Sequence, residues 1–278
     1  MLALALAVFS AGAVAQDAVA RGAYLAKAGG CVGCHTEDRQ GAMPYAGGRA
    51  FETPFGVFYG PNITPHPRAG IGRWSERDFV RALREGVGSD GAHLYPAFPY
   101  PSFTKITDAD LGDLWAFLRS LPPDARPSRE HELRFPFGWR ALIWGWKLLY
   151  FEPGPGAIRP GLSKVQARGA YLVDALGHCG ECHTPRDFLG GPLNDRYLGG
   201  GKTPEGKRVP NLTPVRLGKW SDAELRDFLV TGLTPDGDIA SKAMGEVIRN
   251  TTSQWRREDL AAVIAYLRSL PPVADRPR

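Results

Sequence analysis

Two stretches of the chain show the apolar spacing of a helix that faces a hydrophobic core. Each has large apolar residues at positions i, i+3, i+4 and i+7: Leu111, Leu114, Trp115 and Leu118 in the first stretch, and Leu260, Val263, Ile264 and Leu267 in the second. Pro122 and Pro271 follow the two stretches, and a proline cannot continue a helix. The pattern therefore predicts two equivalent helices that end just before these prolines.

A shorter helix is predicted upstream in each half of the chain. Ser75–Asp78 and Ser221–Glu224 have the spacing of a capping box, in which a hydroxyl and a carboxylate satisfy free backbone N–H groups at the helix start. Gly86 and Gly232 then mark the predicted ends, because glycine readily adopts the left-handed conformation that closes a helix.

The two halves are copies of one another. Segments of the second half match segments of the first at offsets of 146 to 149 residues. The matched pairs are 21–25 with 168–172, 61–65 with 210–214, 74–75 with 220–221, 90–91 with 236–237, and 120–123 with 269–272. A repeat of this kind predicts two copies of one domain with small insertions and deletions.

All four cysteines fall in two copies of the pentapeptide C-x-x-C-H. The residues involved are Cys31, Cys34 and His35 in the first copy, and Cys179, Cys182 and His183 in the second. Two cysteines one helical turn apart can add to the two vinyl groups of one porphyrin, and the histidine that follows can ligate its iron. The motifs therefore predict two covalently attached haem c groups, each with its histidine as an iron ligand.

Three other interpretations of the cysteine pairs stay open at this point. A thioredoxin-like C-x-x-C would need a βαβ context and does not require the following histidine. A four-cysteine zinc site would have to join motifs about half a chain apart. Two short disulfides suit an oxidising compartment but leave both histidines without a role. The duplication of the complete pentapeptide favours haem over all three.

The composition is that of an ordinary globular protein, with 43% hydrophobic and 23% charged residues. The 278 residues suit two domains, and the 34 glycines and 24 prolines predict that much of the chain forms loops. The net charge of +5 is scattered rather than gathered in a basic run. The charge pattern therefore does not indicate binding to nucleic acid.

The first 15 residues resemble a secretory signal peptide. Leu2 to Val14 form an apolar segment that is shorter than the roughly 18 residues needed to span a bilayer, and residues 13–15 have the A-x-A form of a cleavage site. The usual basic stretch before the apolar segment is missing, which points to a start further upstream. Bacteria attach haem c outside the cytoplasm, so we expect a periplasmic protein, with membrane association left open.

Each copy resembles a class I cytochrome c, with an N-terminal helix, C-x-x-C-H, loops, a distal ligand and a C-terminal helix. Pro61–Pro65, Gly72–Ser75 and Leu94–Tyr100 extend the resemblance to the multihaem cytochrome c subunits of bacterial periplasmic alcohol, gluconate and aldehyde dehydrogenases. Those subunits often have three haems, whereas this chain has two motifs. The resemblance implies transfer of single electrons from a dehydrogenase partner to a membrane or soluble acceptor.

The resulting fold prediction is all-α, with two tandem class I cytochrome c domains and long Gly/Pro-rich loops. We expect a signal peptide at 1–15, a first domain at 16–124, an aromatic-rich linker at 125–163 and a second domain at 164–278. Two further histidines, His131 and His178, are expected in the linker and at the surface.

The resemblance also implies a methionine opposite each histidine ligand. Met244 lies seven residues after Gly237 and holds that position in the second copy. In the first copy the equivalent residue is Phe98, which cannot ligate iron. His93, five residues upstream, is the first alternative as sixth ligand, Met43 is its rival, and a five-coordinate iron is the third.

The segment 133–151, at the centre of the linker, is unusually rich in aromatic residues. It holds Trp139, Trp144 and Trp146, with Arg140 and Lys147 seven residues apart on one predicted helical face. The segment is too short and too charged to span a bilayer. Three roles stay open: binding at a membrane surface, docking of a partner subunit, and packing as shared core between the two domains.

Two other functions compete with electron transfer. A dihaem oxidoreductase such as a peroxidase would act at the first haem, where Phe98 leaves a position open and His93 is the nearby acid–base candidate. A structural subunit would use its haems mainly to dock a partner.

Overall fold

The structure is a computed structural model that describes residues 16–154, 159–202 and 206–275. The predicted signal peptide at 1–15 lies outside the described residues. Among the described residues, the structure shows no helix that is both long and apolar enough to cross a membrane.

The described part of the first half, from residue 16 onward, has six helices and a small antiparallel sheet. The helices are α1 (described over 16–28), α2 (Cys31–Cys34), α3 (Glu76–Glu85), α4 (Tyr100–Phe103), α5 (Asp108–Ser120) and α6 (Ala141–Tyr150). The strands are β1 (Ala50–Thr53), β2 (Gly56–Tyr59) and β3 (Glu132–Leu133), paired in that order.

The second half repeats this layout. Its helices are α7 (Lys164–Tyr171), α8 (Gly180–His183), α9 (Pro214–Leu217), α10 (Asp222–Thr231), α11 (Lys242–Asn250) and α12 (Arg257–Ser269). A π-helical turn, Leu172–Leu176, continues α7, and the strands β4 (Gly201–Lys202) and β5 (Arg208–Val209) form a second antiparallel pair. The prediction of a mainly helical chain is confirmed. The strands were missed because none exceeds four residues, too short for a pattern of alternation to show.

Both predicted capping boxes are formed. Ser75 Oγ accepts a hydrogen bond from the backbone N–H of Asp78, and the Asp78 carboxylate accepts one from the Ser75 N–H. Ser221 and Glu224 make the same two bonds at the start of α10. Gly86 and Gly232 end these helices with positive φ angles of 61° and 79°, as predicted.

In each half the N-terminal helix crosses a later long helix at a glycine. A Cβ at Gly22 of α1 would lie 1.9 Å from the carbonyl oxygen of Asp113 in α5. A Cβ at Gly169 of α7 would lie 2.0 Å from the carbonyl oxygen of Ala262 in α12. Only glycine allows so close an approach of the two backbones, and this explains why both copies carry it near the helix start.

The two halves share one hydrophobic core. Buried residues of both halves, including Leu111 and Leu260, belong to a single cluster. The halves also exchange an equivalent polar contact at their boundary. The Tyr24 hydroxyl donates to Asp259 of the second half, and the Tyr171 hydroxyl donates to Asp110 of the first. Because Asp110 and Asp259 hold the same position in the repeat, the two copies are packed reciprocally.

The aromatic linker is not shared core. In α6 only Ile143 and Lys147 are buried, whereas Leu142, Trp144, Leu148 and Leu149 are exposed. Lys147 is buried and Arg140 is exposed at the helix start, but both side chains contact His93, which agrees with the predicted common face.

Two candidate haem-binding sites

The first motif forms a single helical turn whose start requires a glycine. Gly30 caps α2 with a φ of 64°, and a Cβ there would lie 2.3 Å from the Thr251 hydroxyl oxygen. The turn places His35 at its end, where the ring Nδ1 lies 2.8 Å from the carbonyl oxygen of Pro61. A carbonyl can only accept, so Nδ1 carries the proton and Nε2 keeps a free lone pair.

The second motif repeats this geometry. The ring Nδ1 of His183, at the end of α8, lies 2.7 Å from the carbonyl oxygen of Pro210. Burial lowers the pKa of both histidines, partly opposed by the hydrogen bonds to the proline carbonyls. Both rings are therefore neutral at pH 7, with Nε2 ready to ligate a metal and the Nδ1 bond fixing the orientation.

The prolines that orient the histidines belong to the repeated Pro-Asn-Ile/Leu-Thr-Pro loop. In the first copy, Asn62 Oδ1 accepts from the N–H and the hydroxyl of Thr64 at 2.9 and 2.7 Å. Asn211 and Thr213 make the same bonds in the second copy. All four side chains are buried. Asn and Thr thus hold the loop that presents the proline carbonyl.

The cysteines are available for covalent attachment. All four are free thiols, so the disulfide interpretation is wrong for this structure. Burial raises the pKa of Cys31 and of Cys179 to about 12, and raises that of Cys34 to about 11. No group of three or more His, Cys, Asp or Glu side chains in the described part of the chain is arranged to hold a metal ion, which leaves the shared zinc site without support.

The donor set at each motif fits a covalently bound haem. Each has two unpaired thiols one turn apart and a neutral imidazole whose Nδ1 is held by a carbonyl.

Met244, the predicted sixth ligand of the second site, lies in the first turn of α11. Its backbone N–H donates to the Ser241 hydroxyl, and its side chain is half-buried. Two residues on, Glu246 accepts a 2.7 Å hydrogen bond from Arg49, which lies in the loop after the first motif. The helix that carries Met244 is thus fixed to the first half. The assignment of Met244 as a ligand stays a prediction.

Phe98, which replaces the methionine in the first copy, packs in the core. Its ring makes an edge contact with Phe103, with 5.4 Å between centroids. Phe103 in turn contacts the ring of His178 at 5.6 Å. His178 is half-buried beside Cys179, so its expected place at the surface is wrong.

His93 is held by the linker helix. Its Nδ1 lies 3.0 Å from Lys147 Nζ, and its carbonyl oxygen accepts a 2.6 Å bond from Arg140. An ammonium group only donates, so Nδ1 accepts and the proton of the neutral ring lies on Nε2. Ligation of iron by His93 would require a different tautomer or loss of the Lys147 contact. This assignment also stays a prediction.

Met43, the rival of His93, lies in the loop that returns to the first motif. Its carbonyl oxygen accepts from the Ala46 N–H at 3.2 Å, and the next residue, Gly47, donates to the carbonyl oxygen of His35 at 2.7 Å. The loop is therefore hydrogen-bonded to the backbone of His35. A sulfur opposite His35 would have to reach around from this loop, so Met43 likewise stays a prediction.

The cytochrome c family model matches residues 19–122 and 166–271. The chain is 45% identical over 258 residues to a diheme cytochrome c-type protein of Cereibacter sphaeroides, which covers 91% of this chain and 86% of the relative. It is 40% identical to the fructose dehydrogenase cytochrome subunit of Gluconobacter japonicus and 38% identical to the gluconate 2-dehydrogenase cytochrome c subunit of Pantoea cypripedii. Those alignments cover 94% and 97% of this chain but only 54% and 64% of the two relatives.

Proposed function

The chain belongs to the cytochrome c family, and we propose that it carries single electrons from a dehydrogenase partner to a membrane or soluble acceptor. It binds two covalent haem c groups, one for each domain match. Bound haem iron supplies the one-electron chemistry, and the protein supplies ligation, orientation and a medium of low dielectric.

The residues that hold the two groups have separate roles. Cys31 and Cys34 would form the thioether bonds of the first site, and Cys179 and Cys182 those of the second. His35 and His183 would present Nε2 to the iron, since Nδ1 of each is held by a proline carbonyl. That second bond raises the basicity of the ligand and prevents rotation of the ring, which keeps the geometry the same in both oxidation states.

The observation that carries the proposal is the reciprocal packing of the two sites. Arg49, after the first motif, bonds Glu246 on the helix of Met244. Ser102, just after the loop of Phe98, donates to Glu181 within the second motif at 2.9 Å. Each attachment segment thus contacts the distal segment of the other half. Such packing suits passage of an electron from one site to the other within a single rigid unit.

The two sites differ on the distal side, and this supports a direction for electron flow. Met244 is proposed as the sixth ligand of the second site, and thioether ligation raises the potential. Phe98 holds the equivalent position in the first copy and cannot ligate iron. We therefore propose His93 or Met43 as the sixth ligand of the first site, or a five-coordinate iron. Unequal ligation would give unequal potentials and hence a preferred order of reduction.

The partner and the compartment are also proposals. Relatives are named as cytochrome subunits of alcohol, fructose and gluconate dehydrogenases, which supports a dehydrogenase as the electron donor. The apolar segment at 2–14 supports export to the periplasm. This chain spans little more than half the length of several of these relatives.

Electron paramagnetic resonance of the oxidised protein, with a pyridine haemochrome count, tests the proposal. We expect two haems per chain and a low-spin signal from the second site. An electron carrier also reduces and reoxidises reversibly without consuming peroxide. Fewer than two haems per chain would contradict the covalent attachment assigned to both motifs.

A second function is favoured by one specific observation, the apolar Phe98 at the distal position of the first site. A dihaem oxidoreductase with catalysis at that site would show a high-spin signal, rapid cyanide binding and peroxide turnover. In such an enzyme His93 would act as the distal acid–base group, and the neutral ring that the structure supports could accept a proton there. Absence of peroxide turnover in a protein with both haems would exclude this alternative.

A further inference from the structure

An exposed apolar surface lies at the middle of the chain. It is formed by seven exposed side chains of segment 135–149, which we call the aromatic face: Phe135 (79% exposed), Phe137 (39%), Trp139 (61%), Leu142 (44%), Trp144 (57%), Leu148 (68%) and Leu149 (67%). Large apolar residues scattered singly on a surface are ordinary, but seven within 15 consecutive residues require an explanation.

The aromatic face rests on a rigid support. On the inner side of α6, Lys147 Nζ donates to the carbonyl oxygens of Glu85 and Gly86 at 2.6 and 2.7 Å. Before the helix, the ring of Phe137 packs edge-on against Phe55 at 4.8 Å. The Arg134 N–H also donates to the Phe55 carbonyl oxygen. The exposed rings therefore project from a fixed scaffold rather than from a loose loop.

The charged residues within this segment are of one sign. Residues 133–151 contain Arg134, Arg140 and Lys147 and no Asp or Glu. Arg134 and Arg140 are exposed and donate to the carbonyl oxygens of Pro54 and His93. Within the described part of the chain, neither forms an ion pair with a carboxylate. Two guanidinium groups thus stand beside the apolar surface with their charge uncompensated.

Two carboxylates at the border are already engaged. Glu132 pairs with Arg129 at 3.2 Å, and Asp187 accepts a 2.8 Å hydrogen bond from Tyr150. Glu152, just after the segment, is an exposed carboxylate, but the three cationic side chains of 133–151 outnumber it. An apolar surface edged with free guanidinium groups is complementary to acyl chains beneath phosphate headgroups.

We propose that the aromatic face docks on the surface of a bilayer that contains anionic phospholipid. Tryptophan prefers the headgroup level, where its ring is buried and its N–H stays solvated, and leucine and phenylalanine prefer the acyl boundary. The ten residues of α6 are too few to span the bilayer, so the helix lies in its plane. The side chains of the face are exposed, and a fluid bilayer can accommodate such side chains without a matching pocket.

When the aromatic face lies on the membrane, the first half of the chain faces the membrane. Lys147 and Arg140 contact His93, and the Tyr95 hydroxyl donates to the Gly138 carbonyl oxygen at 3.2 Å. The aromatic face therefore covers the loop that carries Phe98. Lipid binding itself does not depend on haem or on electron transfer, so its failure and the failure of the proposed function are distinguishable.

Vesicle flotation of the purified holoprotein tests the docking. The vesicles are phosphatidylcholine alone and phosphatidylcholine with about 30% phosphatidylglycerol, at low and high salt. We expect flotation with the anionic vesicles, weakened by salt because the guanidinium contribution is screened. The variant W144Q/L148Q/L149Q should lower the bound fraction at least about tenfold, because three large apolar side chains lose their lipid contact.

The matched control is L233Q/I239Q, which alters two exposed apolar residues of the second half that are 52% and 82% accessible. It should float as the unaltered protein does. Unchanged haem absorption and circular dichroism show that each variant is folded. Equal flotation of the W144Q/L148Q/L149Q variant and the parent would overturn the proposal, as would failure of the parent to bind either vesicle.

Discussion

Ser102 of the first half donates a 2.9 Å hydrogen bond to Glu181, which lies between the two cysteines of the second C-x-x-C-H motif. The bond joins the distal region of one site to the attachment helix of the other. Beside it, the rings of Phe103 and His178 are in edge contact. The two halves are therefore coupled at the sites themselves, in addition to the core that they share.

The first prediction follows from this coupling: the two halves unfold together. Ser102→Ala should lower the free energy of unfolding by about 1 kcal/mol, the usual net value of a hydrogen bond, without splitting the transition. The control is Ser89→Ala, at an exposed serine. Denaturation followed by haem absorption and by far-UV circular dichroism should give one coincident transition. Two separated transitions would show that the halves are independent.

The second prediction concerns Met244. Met244→Ala should convert one haem from low-spin to high-spin and lower its potential, because thioether ligation raises it. Met43→Ala, measured alongside, tests the other methionine, and it should leave the second haem low-spin. Electron paramagnetic resonance of both variants checks the assignment. A fully low-spin Met244→Ala protein would mean that another residue ligates the second iron.

The third prediction restores the ligand that the first half lacks. Phe98→Met places a thioether at the position equivalent to Met244, and the exchange of two large apolar side chains should cost less than about 1.5 kcal/mol. We expect the potential of the first haem to rise and the two midpoints to approach each other. Phe98→Leu, which removes the ring without adding sulfur, should leave the ligation unchanged. Identical spectra of the Met and Leu variants would place Phe98 away from the iron.

The fourth prediction is a pH dependence of stability that comes from Lys147. Burial lowers the pKa of Lys147 to about 8, against 10.5 for an exposed lysine. Between these values the unfolded chain binds the proton more tightly, so this group makes the free energy of unfolding rise with pH from about 8 to 10.5. Below pH 8 both states are protonated and the contribution is flat.

Urea denaturation at pH 7.5 and pH 10 measures this effect. Lys147→Met should remove the rise, whereas Lys219→Met, at an exposed lysine, should retain it. The same slope in the parent and in Lys147→Met would show that other groups dominate the titration.

Much of the fold could be predicted because the repeat supplies each signal twice. The capping boxes at Ser75 and Ser221 and the helices after Thr107 and Arg256 have local patterns, and local patterns can be recognised without knowledge of the tertiary structure. The short strands and the position of His178 depend on contacts between distant segments, which a linear pattern does not contain.

The residues of the two sites also fall into those that a local pattern reveals and those that depend on contacts between distant segments. The cysteines and histidines could be found because haem attachment fixes their spacing along the chain. The carbonyls of Pro61 and Pro210 could not, since an orienting acceptor is a backbone atom about 26 residues away and any residue type supplies one. The Lys147 contact with His93 was missed because the linker sequence does not reveal which face of α6 turns inward.

The central claim, a two-haem electron carrier with unequal sites, is tested most directly by potentiometric titration of the purified protein together with a haem count. The account predicts two haems per chain and two reversible one-electron steps with separate midpoints, the higher one lost in Met244→Ala. Two indistinguishable midpoints, or a chain that holds fewer than two haems, would contradict it.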